Sequence, residues 1–103
     1  MYKVKLTKEV WNGITPESSS TFAALTNETE LPFVPFPGLS LALPGPRSWE
    51  VESVTWCVTD QIFHCKIKDH FVNPLSINED FDSQLEFLVE IGWKLIGRFQ
   101  NDF

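Results

Sequence analysis

Tyr2, Val4 and Leu6 alternate with Lys3, Lys5 and Thr7 at the head of the chain. A period of two sends successive side chains to opposite faces, so this stretch predicts a half-buried strand, which Val10 extends. Asn12-Gly13 is a turn dipeptide, and Pro16 and Ser18–Ser20 follow it, so residues 12–20 read as a surface loop. "TFAALT" at 21–26 is open to two readings. Its alanines suit a short helix, while its length leans toward a strand.

Residues 31–46, "LPFVPFPGLSLALPGP", carry five prolines. Proline has no amide proton to give a sheet ladder, so the stretch up to Gly38 predicts an extended edge or loop. Leu39, Leu41 and Leu43 then alternate with Ser40 and Ala42 as a strand, and Pro44-Gly45-Pro46 turns the chain. Pro32 to Pro35 also fits the P-x-x-P pattern of a polyproline ligand. Its bulky apolar surroundings favour a framework role, with Phe33 and Phe36 packing and the prolines discouraging edge pairing.

In "WEVESVTWCVT" Val54, Trp56 and Val58 share one face, and Ser53, Thr55 and Cys57 the other. In "IFHCKIKDHF" Phe63, Cys65 and Ile67 oppose His64, Lys66 and Lys68. A reversal at Asp60-Gln61 sets 58 against 63, 56 against 65 and 54 against 67, with all six apolar side chains inward. A one-residue slip would put Trp56 opposite Lys66, so alternation pins the register. In this reading Trp56 and Phe63 share an interior and His64 stays outside.

The C-terminal third changes period. Ile77, Phe81, Leu85 and Leu88 recur at helical spacing, with Glu79, Asp82, Glu86 and Glu90 on the other side. This predicts an amphipathic helix of about three to four turns. Ser76 with Glu79, or Asn78 alone, supplies a cap, and Gly92 a left-handed stop. "WKLIGRF" reads as a closing strand. The order predicts one α+β domain over 1–103: a small antiparallel sheet, bent or closed as an SH3-like barrel, with one C-terminal helix.

"LPFVPFPGLSL" followed by "WEVESVTW" and an F-x-C-x-I strand resembles short uncharacterised bacterial and phage domains with an L-P-x-x-P-x-x-G-x-x-L segment before a V-x-x-V-x-W strand. The similarity spans roughly residues 31 to 67. It implies a small β-barrel, brings no catalytic residue across, and leaves the acidic helix outside.

With 103 residues, the chain buries about two thirds of its unfolded surface on folding, enough for one core with no metal or disulfide staple. Four Trp and nine Phe supply much of its volume. The net charge of −6 argues against nucleic acid, whose phosphates are met by clustered Lys and Arg, and favours a basic protein partner. The first residues lack the apolar run of a signal peptide, and no stretch approaches the ~20 apolar residues of a membrane span. The expected setting is cytoplasmic, with no membrane.

Chemistry is sparse. Cys57 and Cys65 lie on opposite faces in the expected register, so they predict two free thiols, with Cys65 a core residue. Cys57 and His64 face each other on the outer side and form the candidate pair for a reactive thiolate, but no orienting acid stands beside them in the sequence reading. Cys57, His64, Cys65 and His70 do not make a metal set, because Cys65 points away from the rest. The expectation is therefore no enzyme, no cofactor and no metal. Three readings follow: a binding or assembly module, in one form an acidic inhibitor or immunity-type protein; a thiol or metal site at Cys57 and His64; and a homo-oligomer subunit. The partner surface expected for the first is Glu79, Asp82, Glu86 and Glu90 with Phe87 and Trp49; the plainer alternative is a solvated helix face.

Overall fold

A computed structural model of the chain describes residues 1–13, 21–42, 49–72 and 80–100. Its elements are β1 (Tyr2–Asn12), β2 (Thr21–Leu31), β3 (Ser40–Leu41), β4 (Trp49–Cys57), β5 (Ile62–Ile67), β6 (His70–Val72), α1 (Phe81–Glu90) and β7 (Lys94–Gln100). Among the described residues the fold is mostly β with one helix. Strands run in the order β3-β4-β5-β1-β2-β7, with β6 also on β1. The alternation at the chain's head becomes β1, the central strand, with Val4, Leu6, Lys8 and Val10 all buried. "TFAALT" is strand, and β2 continues past it to Leu31, opposite Tyr2.

Two features depart from the expected antiparallel barrel. First, β1 pairs in parallel with β5 and β6, Val4 lying beside Phe63 and Val10 beside His70. The long β1 offers one edge to both short strands in turn. Second, among the described residues the sheet stays open, since β3 and β7, at the two ends of the strand order, do not pair with each other. The expected strand over 39–43 shrinks to Ser40–Leu41; Leu43 and the Pro44–Pro46 turn lie outside the described residues, as do 14–20 of the expected loop. The proline segment before β3 is irregular, as a chain short of amide donors must be. Pro35 is buried, while Phe33 and Phe36 face each other with centroids 6.4 Å apart and remain exposed.

The hairpin forms, shifted by two positions. Trp56 lies opposite Phe63 and Val54 opposite Cys65. The turn is a loop over 58–61, closed by the Gln61 N–H donating to the Cys57 carbonyl at 2.8 Å, with Gln61 at φ 54°. A shift of two preserves the faces, so alternation alone does not forbid it. It moves Val58 out of the ladder into the loop, 76% exposed. An irregularity between Val51 and Ser53 then inverts the phase of β4, so Trp49 and Val51 share the inner face with Val54 and Trp56.

The helix is shorter than expected. It starts at Phe81, capped by Asp80, whose carboxylate accepts from the Ser83 N–H at 3.1 Å. Ser76, Ile77, Asn78 and Glu79 lie outside the described residues. Phe81, Leu85 and Leu88 are its buried face, as the spacing predicts. Gly92, at φ 111°, ends it: the Gly92 N–H reaches the Val89 carbonyl and the Trp93 N–H the Leu88 carbonyl. That reversal drives Trp93 into the core, where it stacks on Trp49 at 5.3 Å. Helix, Trp93, and the inner faces of β1, β2 and β4 together form one apolar cluster.

Candidate functional site

The expected partner surface divides. Asp82, Glu86, Phe87 and Glu90 are exposed on α1, while Glu79 lies outside the described residues. Asp82 is engaged by Arg98 of β7 at 2.7 Å, and the same guanidinium sits 5.6 Å from the Phe81 ring. Glu86 and Glu90 instead rim a groove of 340 Å³ floored by Leu85, Val89 and Leu95 and closed at one side by Arg98. The groove runs beside β7, whose Leu95, Ile96 and Phe99 are all exposed. These residues meet because the closing strand brings its inner face against the helix it follows.

Trp49 is not part of any exposed surface. It is buried, and Lys8 lies over its ring at 4.0 Å while donating to the Lys68 carbonyl at 3.1 Å. The phase inversion in β4 carries it inward, against the outward position that plain alternation gives. Trp11 rests on Phe22 at 4.4 Å and on Phe71 at 6.2 Å, and Phe22 meets Phe99 at 5.3 Å. These four rings form a row across β6, β1, β2 and β7 on the outer face, legible only once those strands are known to be neighbours.

The second candidate centre sits at the hairpin tip. Cys57 ends β4, opposite Ile62, and His64 lies on β5, opposite Thr55. The two are therefore diagonal neighbours rather than the direct pair expected, still within reach. The 58–61 loop brings Asp60 to this pair. Its Oδ2 accepts from the Cys57 thiol at 3.6 Å. The ligating atoms of Cys57, Asp60 and His64 all lie within 4.8 Å of one another. Asp60 also borders a 320 Å³ hollow with Met1, Tyr2, Lys3, Trp56, Gln61 and Phe63. Cys65 faces the core, as expected, and burial pushes its thiol up, which keeps it protonated and inert at neutral pH.

Around β5 the outer face is a charged lattice. Lys66 pairs with Glu52 at 3.3 Å and Asp69 at 3.6 Å, and Lys68 with Glu50 at 2.8 Å. Burial alone would lower the Lys66 ammonium, but Asp69, Glu52 and Glu9 outweigh it and raise it. Glu9 is raised by burial and then by Asp69, against the opposing pull of Lys66.

No family model, no curated protein and no solved structure matches this chain. Among the described residues no helix is long and apolar enough to cross a membrane.

Proposed function

We propose that the chain is a non-enzymatic protein-binding module that docks a basic segment of a partner along the groove between α1 and β7. The reading rests on the open edge of β7 beside the acidic rim of α1. Among the described residues β7 pairs with β2 alone, so the groups along its other side are available to an added strand. Leu95, Val89 and Ile96 offer that strand apolar contact, and Glu86 and Glu90 attract positive charge. Electrostatic attraction of this kind speeds encounter and selects partners by sign. An acidic inhibitor of a basic effector is the specific form that the net charge of −6 suits best.

The test is parallel capture from native lysate with the wild type and a Glu86→Lys/Glu90→Lys variant. Both side chains are exposed, so the double change leaves the core alone. A basic protein held by the wild type, released by the double variant and by raised salt, is the expected result. Equal retention by both baits, or none by either, rejects the groove as the docking site. The unpaired β7 edge also favours a second reading, self-association through that edge, although it brings like charges together. Sedimentation velocity across a wide concentration range separates the two, since only self-association gives a concentration-dependent dimer.

A further inference from the structure

The geometry points to a metal site: Cys57, Asp60 and His64 form a three-ligand centre for a divalent ion of the zinc type, with water in the fourth position. The inference stands apart from the groove and does not depend on it. Three ligand chemistries meet at the hairpin tip: a thiolate, a carboxylate and an imidazole, the set that Zn²⁺ and Co²⁺ accept in tetrahedral geometry. A thiolate and a carboxylate together balance a double positive charge, so the bound ion leaves no net charge at the tip.

The spacing agrees. Tetrahedral bonds of about 2.3 Å to sulfur and about 2.0–2.2 Å to oxygen place those two atoms roughly 3.5 Å apart. Cys57 Sγ and Asp60 Oδ2 are 3.6 Å apart. The widest separation within the trio is no more than 4.8 Å, which side-chain rotation closes. The scaffold is fixed by the sheet. Cys57 and His64 are held by the β4–β5 ladder, and the Gln61-to-Cys57 hydrogen bond of 2.8 Å folds the loop so that Asp60 turns back on the thiol. Asp60 accepting from the sulfur also argues against a nucleophile–base–acid relay, in which the acid would orient the imidazole instead.

Cobalt titration of reduced, metal-stripped protein tests this. We expect a saturable one-to-one signal with a thiolate-to-cobalt charge-transfer band, abolished by Zn²⁺. Cys57→Ser, Asp60→Asn and His64→Gln each weaken binding by at least about tenfold, the scale of loss when a site's supports are removed. A second readout uses the wild type alone, and so survives any variant that fails to fold. Cys57 is the accessible one of two thiols, and saturating Zn²⁺ should slow its maleimide labelling at least about tenfold, as a coordinated sulfur is no longer a free nucleophile. Absence of the charge-transfer band, a band that survives Cys57→Ser, or unchanged labelling with Zn²⁺ each overturns the site; binding without the band means surface carboxylates only.

Discussion

Trp49 and Trp56 stand at opposite ends of one strand, on one face of one sheet, yet their fates differ. Trp49 is 6% exposed, stacked on Trp93 and covered by Lys8. Trp56 is 48% exposed and meets Phe63 with centroids 4.7 Å apart, and Phe63 in turn meets Tyr2 at 6.1 Å. Facing inward is therefore not the same as being inside. A sheet face is sealed only where a second layer covers it, and here α1 is too short to cover both ends. The sealed end supplies stability; the open end leaves aromatic surface on display, beside the hollow that Asp60 borders.

The largest effect should fall at the sealed end. Trp49→Ala removes a ring from a packed site and should cost about 3–5 kcal/mol, read from the midpoint of urea unfolding. If the loss matches that of an exposed residue, the core does not close over Trp49 and the comparison fails. Trp56→Ala should cost about 1–2 kcal/mol, from half-buried area and one aromatic pair. A loss as great as that at Trp49 would mean that something covers the open end.

The smallest effect sharpens the contrast from the other side of the sheet. Folding raises the Glu9 carboxyl above its ordinary 4.5, so the native state favours the protonated form. Its contribution is full below that value and is lost as pH rises through the folded one. At neutral pH the ionised group is a net cost. Glu9→Gln should then stabilise by a few tenths of a kcal/mol at pH 7, discounted for solvent screening, with no gain at pH 4 or below. Thermal melts at both pH values measure it. A variant less stable at pH 7 would show that the pairing of Glu9 with Lys66 outweighs its burial.

The site divides along the same line. Cys57 and His64 were legible as outer-face neighbours because alternation assigns faces, and a slip of two leaves faces unchanged. Asp60 was not legible as their companion, because alternation is blind to loop length. The four residues 58–61, closed by the Gln61-to-Cys57 hydrogen bond, set that carboxylate beside the Cys57 thiol. The acids Glu86 and Glu90 were placed by helical spacing, while the apolar floor beside them needed Leu95 from β7. The barrel expectation failed to foresee the parallel pairings of β1, since hydrophobic pattern says which face is buried and nothing about which strand lies alongside.

By itself the amino-acid order determined β1, the facing strands β4 and β5, the closing strand β7, the buried face of α1 and its stop at Gly92, because periodicity and backbone restriction act within a few residues. Tertiary structure alone decided the neighbours of β1, the phase inversion that turns Trp49 inward, and the meeting of Cys57, Asp60 and His64. Each of these depends on where distant segments settle against one another, which is fixed by the cheapest way to cover the whole apolar face rather than by any local stretch of chain.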